Sequence, residues 1–291
     1  LAIADRITVL RARKIIGSVA PQETTEPELA KMMVGREVIL QVNKEPASPG
    51  EVVLEVDSLC VVGDRGTMAV DGVSLQVRQG EVLGIAGVQG NGQTELVEAL
   101  TGLRQIESGS VSIAGQDVTH ATPREITEAG TAHVPEDRQR DGLILSFSVE
   151  DNLILNTYYL PPFAKGLVLQ RDAIAKAAVK RAQQFDVRTP SVLSPVANLS
   201  GGNQQKVIVA REFSRPSKLV VASQPTRGLD VGSIEYIHGR LIEKRDQGSA
   251  VLLLSPELDE VIGLSDRSAV MYEGHIVACL PAVEATKERL G

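Results

Sequence analysis

The sequence has no lysine- or arginine-rich block: 30 basic residues stand against 37 acidic ones, for a net charge of −7. Neutralising a phosphate backbone needs a basic stripe, so nucleic acid is excluded as the main partner. Only two cysteines occur, Cys60 and Cys279. They are far apart and in no metal-ligand spacing, which points to a reduced, cytoplasmic setting with both thiols as buried fillers. The four histidines, His120, His133, His238 and His275, show no ligand spacing either. No apolar run approaches the roughly 20 residues that span a bilayer, so any membrane role must come through a partner. There is no signal peptide, and the chain opens at Leu1 without Met, the expectation being a piece of a longer polypeptide. Tryptophan is absent, and no Phe or Tyr precedes Phe147.

What is present is apolar substance: 43% of 291 residues are hydrophobic, enough for one large or two modest domains. Two distant segments echo each other. Asp5–Ser18 reads DRITVLRARKIIGS, and Asp266–Cys279 reads DRSAVMYEGHIVAC. Each opens on Asp-Arg, runs as an alternating strand, turns and returns. A repeat at domain-scale offset favours tandem duplication over chance. The expected division follows: residues 1–20 as the tail of a preceding unit, 21–50 as a linker with a short helix, and 51–291 as the main domain. Thr25 and Glu28 form a capping box, Pro27 suits a first turn, and Gly35 closes the helix. Lys44–Gly50 is a polar, proline-containing linker.

From Glu51 onward strands alternate with helices. Val73, Leu75 and Val77 mark a half-buried strand, while Val82–Ala86, Leu219–Ala222 and Ala250–Leu254 read as buried parallel strands. Ser148–Val187 is mainly helical in pattern and interrupts that alternation. The expected fold class is α/β, with an antiparallel β element near Glu51–Arg78 and an inserted helical subdomain at about 143–212.

Gly87–Thr94 reads GVQGNGQT between a buried strand and a helix, the context of a phosphate loop. Gly87, Gly90, Asn91 and Gly92 would bring backbone N–H groups onto phosphate oxygens, and the helix dipole favours an anion. Thr94 is a weak candidate ligand for Mg²⁺. Gln93 stands where lysine would reach the terminal phosphates. Losing one charge-assisted contact costs about 1.5–3 kcal/mol, or about 10–100-fold in affinity. Leu199–Lys206 reads LSGGNQQK, His133–Leu143 reads HVPEDRQRDGL and Gln224–Gly232 reads QPTRGLDVG.

Together these stretches resemble the second nucleotide-binding domain of ABC import ATPases that carry two such domains in one polypeptide, in the class serving simple sugars and nucleosides. The resemblance covers Glu51–Leu280, with Leu1–Arg36 as the tail of the first domain. It implies a P-loop, RecA-like core and ATP with Mg²⁺ as ligands. Its implied partners are the first nucleotide-binding domain, membrane permease subunits and, indirectly, a solute-binding protein. Its implied location is peripheral, on the cytoplasmic face of a prokaryotic plasma membrane. It also implies that Leu199, Ser200, Gly201, Gly202, Asn203, Gln204 and Gln205 act in trans on ATP held by a sibling, and that Asp230 contacts that sibling. Ser223 and Gln224 stand where the family has Asp-Glu, so neither a metal-balancing acid nor a base is available there. Pro256 replaces the switch histidine. Glu136 replaces a glutamine and is counted as nucleotide-proximal, and the ring that stacks on adenine is missing. No intact catalytic residue is expected at this chain's own loop.

Glu136-Asp137-Arg138 fits a solvated turn or a region near a membrane subunit. Tyr158–Phe163 fits a docking patch or local core. Two competing readings carry less support: a domain with residual ATPase activity of its own, and a soluble ABC protein outside transport.

Overall fold

The structure, a computed structural model, describes residues 3–11, 13–35, 42 and 44–290. Leu1, Ala2, Ala12, residues 36–41, Asn43 and Gly291 lie outside them, so the expected 21–50 linker is described except at 36–41 and 43. Along the chain come β1 (Ile7–Arg11), β2 (Lys14–Val19), α1 (Glu26–Val34), β3 (Val52–Val62), β4 (Met68–Arg78), β5 (Val82–Ala86) and α2 (Gln93–Leu100). Next are β6 (Ser108–Ile113), β7 (Gln116–Asp117), α3 (Pro123–Glu128), β8 (Thr131–Val134), α4 (Val149–Leu153), β9 (Ala164–Lys165), β10 (Val168–Leu169), α5 (Arg171–Gln184) and α6 (Gly201–Phe213). The chain ends with β11 (Leu219–Ser223), α7 (Val231–Asp246), β12 (Ala250–Ser255), α8 (Leu258–Leu264), β13 (Arg267–Tyr272), β14 (His275–Pro281) and α9 (Lys287–Leu290).

The short apolar runs become the centre of a six-stranded sheet, ordered β14-β13-β5-β12-β11-β8. All neighbours run parallel except the β13–β14 hairpin. Every residue of β5, β11 and β12 is buried, because the sheet is covered on both faces. One face packs on an antiparallel sheet, β4-β3-β6-β7, and on α2; the other packs on α6 and α7. Alternation puts Val73 and Val77 inward on β4, as read from the sequence.

The helical insert holds α4, α5 and α6, but also the short β9–β10 hairpin, which the pattern did not show. Phe163 is buried with Ile154 and Ile174, so the aromatic patch is partly local core. Tyr158 stays exposed, and the Tyr159 hydroxyl donates to Glu128. The cysteines correct the expectation: Cys279 is exposed and Cys60 is only half-buried, because both lie on strands with a solvent-facing side.

At the start of the chain, β1 and β2 pair antiparallel, and α1 carries the foreseen capping box, with Gly35 left-handed at its end. The β1–β2 register matches β13–β14 pair for pair. Val9 faces Gly17 as Val270 faces Ala278, and Leu10 faces Ile15 as Met271 faces Ile276. The irregularity falls between Val9 and Leu10 in one hairpin and between Val270 and Met271 in the other.

His133 on β8 lies against Glu212 of α6, whose carboxylate accepts its backbone N–H at 3.4 Å. Burial lowers its imidazole from 6.5 to about 4; Glu212 opposes that shift and Arg211 adds to it. Between those values the unfolded chain binds a proton that the fold refuses, so stability is lost as pH falls through the window. A depression of that size corresponds to about 3 kcal/mol. His133→Gln should flatten the dependence of stability on pH between 6.5 and 4 in urea denaturation series. A slope that does not change would refute this assignment.

Candidate functional site

Two loop systems hold the predicted site residues. The first follows β5. The strand delivers the chain into residues 87–92, and α2 begins at Gln93. Gly90 and Gly92 are both left-handed, at φ 95° and 101°. A Cβ on Gly90 would meet open space, whereas one on Gly92 would sit 2.1 Å from the Ala69 carbonyl oxygen. A Cβ on Gly87 would sit 2.5 Å from the Met271 carbonyl oxygen. These two glycines therefore seat the loop against β4 and β13, whatever the loop binds.

The Gln93 side chain turns back into this loop. Its Oε1 accepts from the Asn91 backbone N–H at 3.2 Å, and its Nε2 donates to the Val88 carbonyl at 3.2 Å. Asn91 is held in turn: its Oδ1 accepts from Glu273 N at 2.9 Å, and its backbone carbonyl accepts from Gly274 N at 3.1 Å. The tip of the β13–β14 hairpin thus rests on the phosphate-loop segment.

Ser223 ends β11 buried, and Gln224 follows in the left-handed region at φ 43°, its N–H bonded to the Leu254 carbonyl. With Pro256, Thr94 and Glu136 they close on the loop and leave a cavity of about 10 Å³. Glu136 does not face outward as a solvated turn would. It pairs with the Arg227 guanidinium and accepts from Gln89 Nε2 at 3.1 Å.

The second system is the start of α6. Ser200 caps the helix and lies exposed, and Leu199 before it is half-buried. Gly201 lies under Arg138, whose Nη1 donates to the Arg227 carbonyl at 2.8 Å. Gly202 is buried against the start of α7: a Cβ there would stand 2.2 Å from Ser233 Oγ and 3.1 Å from Asp230 Oδ2. Asp230 caps α7, accepting from Ser233 N at 3.0 Å and Ser233 Oγ at 2.7 Å. Burial works to raise its carboxyl, but the Ser233 hydroxyl and backbone N–H groups hold it below the ordinary carboxylate range.

Ser200, Gly202, Asn203 and Asp230 line a cavity of about 820 Å³, closed on its far side by Leu10, Arg11 and Met33 of the first hairpin and α1. Gln204 and Gln205 do not share that face. Both are 2% exposed. Gln204 accepts from Gln139 Nε2 and donates to the Val196 carbonyl, and Gln205 donates to the Pro225 carbonyl. Helical spacing turns these two positions into the core, which corrects their expected placement on the presented face. Sequence reasoning missed Arg138 as a contact of Gly201. Its one signal was the HVPEDRQRDGL stretch, whose Glu136-Asp137-Arg138 was read as a solvated turn or a region near a membrane subunit.

The family profile described as ABC transporter matches residues 70–227. The chain belongs to the ABC transporter family. Among curated relatives, it is 50% identical over 290 residues to the nucleoside import ATP-binding protein NupA of Lactococcus lactis subsp. cremoris, covering 100% of this chain and 57% of that protein. It is 48% identical over 289 residues to the guanosine import ATP-binding protein NupO of Bacillus subtilis, covering 99% and 57%. The chain thus spans a little over half the length of these relatives. The ATP-binding cassette MJ1267 of an ABC transporter superposes with a TM-score of 0.68 at 24% identity, over 81% of this chain and 94% of that one. A dimeric cassette, MJ0796, bound to ADP and Pi, gives 0.68 at 19% identity, over 79% and 98%. These likenesses show that the P-loop ABC cassette fold foreseen from the sequence is the fold present.

The glycine geometry predicts unequal costs within one loop. Gly90→Ala meets only left-handed strain, about 1–2 kcal/mol. Gly92→Ala adds a collision with backbone and should cost about 2–5 kcal/mol in total. Urea denaturation of the two variants checks this, and equal losses would contradict it.

Proposed function

We propose that this chain is the second, degenerate cassette of a two-cassette import ATPase. Its own loop is chemically idle, and its α6 face completes an ATP site on the preceding cassette of the same polypeptide. The observation that carries this reading is the partition of altered and intact groups. Gln93, Ser223, Gln224 and Pro256 all ring the near-closed cavity of about 10 Å³. Ser200, Gly202, Asn203 and Asp230 all line the open cavity of about 820 Å³.

At the first site the residues present fit ATP and Mg²⁺ poorly. Among the described residues, no cation reaches into the loop where the terminal phosphates would lie. Among the residues lining the small cavity the one carboxylate is Glu136, which is already engaged by Arg227 and Gln89. Ser223 and Gln224 are neutral, so neither can serve as the base for an attacking water or balance a metal charge. At the second site, an exposed serine hydroxyl and the N-terminus of a 13-residue helix suit an anion.

The matching hairpins support the placement of the sibling. In this chain the β13–β14 tip rests on the phosphate-loop residue Asn91. Its counterpart, β1–β2, puts Leu10 and Arg11 beside the cavity that Ser200 lines. A preceding cassette that ends in β1–β2 would therefore set its own phosphate loop opposite Ser200. There ATP would be held, with Ser200 and the α6 N–H groups binding the oxygens of its terminal phosphoryl group.

Relatives named for nucleoside and guanosine import are 50% and 48% identical, and one named for ribose import is 42% identical. Import of a nucleoside, ahead of a simple sugar, is the function this supports. It would proceed through membrane permease subunits, with a solute-binding protein as an indirect partner, at the cytoplasmic face of a prokaryotic plasma membrane.

Two experiments test the reading. In the full-length polypeptide, Ser200→Arg puts a bulky side chain where the phosphoryl group would lie and should lower ATP turnover about 100-fold by displacing it; unchanged turnover would overturn the proposal. The 291-residue chain alone should hydrolyse ATP no faster than buffer. Clear hydrolysis that disappears on Gly90→Asp would instead favour residual activity at its own loop.

A further inference from the structure

Resting on that reading, we infer that Asn203 is a positioning residue that fixes the Ser200 hydroxyl as a hydrogen-bond donor toward a phosphoryl oxygen. A backbone amide sets the orientation. The Arg188 N–H, in the loop after α5, donates to Asn203 Oδ1 at 2.8 Å. A backbone N–H only donates, so the carbonyl end of the Asn203 amide must face it. The NH₂ end must then face Ser200, where Nδ2 donates to Oγ at 3.0 Å. The Asn203 backbone N–H donates to the same Oγ at 3.4 Å. A hydroxyl has two acceptor lone pairs and one O–H. Asn203 engages both lone pairs, so the remaining capacity of Ser200 is its proton, directed into the cavity of about 820 Å³ that it lines. Such a hydroxyl suits an anionic oxygen and disfavours a ligand that brings donors.

The loop that orients Asn203 is itself fastened from two helices. Lys206, one turn after Asn203 and 8% exposed, bonds both the carboxylate and the carbonyl of Asp186. From α7, the Tyr236 hydroxyl donates to the Phe185 carbonyl at 2.8 Å, and Arg240 Nη2 donates to the Gln184 carbonyl at 2.8 Å. The Asn and Lys of LSGGNQQK thus act jointly. They grip a fixed segment, 184–188, and transfer its orientation to the serine.

The test is a double-mutant cycle in the full-length two-cassette polypeptide, with steady-state kinetics on Mg-ATP and a melting temperature for each variant. Ser200→Ala should raise KM about tenfold, the weak end of a charge-assisted contact. Asn203→Ala should raise KM to a similar degree while kcat changes less than about threefold. Asn203→Ala placed on Ser200→Ala should add nothing. Asn203→Asp keeps the shape but accepts the Ser200 proton, so it should raise KM at least as much with an unshifted melting temperature. Effects of Ser200→Ala and Asn203→Ala that multiply, or an Asn203→Asp variant with wild-type KM, would overturn the positioning role alone. A Ser200→Ala variant with wild-type kinetics would overturn both this role and the two-face reading beneath it.

Discussion

The site depends on one close approach, that of Gly202 in α6 to Asp230 and Ser233 at the start of α7. A side chain on residue 202 would collide with Ser233 Oγ at 2.2 Å, so α6 seats here only because the position is glycine. The Asp230 carboxylate is fully engaged by Ser233, which fixes the first turn of α7. The helix that starts at the signature and the loop that leaves β11 are thereby locked into one rigid piece. Arg138 extends it, lying on Gly201 and binding the Arg227 carbonyl. A shift of the β11–α7 loop would therefore move Ser200, since packed elements transmit displacement and do not absorb it.

A second joint ties the same loop to α8 beneath the altered pocket. Thr226 Oγ1 donates to Glu260 at 2.6 Å, and His238 Nε2 meets the same carboxylate oxygen at 2.8 Å. Glu260 is 7% exposed, yet its carboxyl stays below the usual range. Burial opposes that, and hydrogen bonds from His238, Ser255 and Thr226 outweigh it. The loop that follows Ser223 and Gln224 is thus tied to α8 by buried polar contacts within the fold.

Much of this could be read from residue order because the signals were local. The Thr25–Glu28 capping box, the short apolar runs of the parallel sheet and the glycine loop before α2 each depend on neighbours within a few positions. The likeness of the two hairpins could be anticipated for the same reason. What was not legible depends on distance along the chain. Gln204 and Gln205 belong to a motif expected to act in trans, yet their partners, Val196, Gln139 and Pro225, lie on three separate segments. Arg138 was read as part of a charged turn, because nothing near it in sequence announces Gly201. The cysteines were misplaced because a strand with one wet face exposes every second residue, and which face is wet is a tertiary fact.

The loop after β5 carries glycines and, at position 93, a neutral amide, and the geometry separates the roles of the two. Gly87 and Gly92 sit where backbone atoms of Met271 and Ala69 leave no room for a Cβ. Replacing either would disturb the seating of α2 against β4 and β13, and with it the core. Lysine at 93 would have no comparable structural role, because its purpose is an anion outside the fold. Gln93 serves the fold better, since its neutral amide offers both a donor and an acceptor to Val88 and Asn91. A lysine there would satisfy the carbonyl but not the Asn91 N–H, and would place an ammonium beside the positive end of α2. With glutamine the loop closes on itself without phosphate. Retained glycines in such a loop therefore report on packing, and the residue at position 93 reports on chemistry.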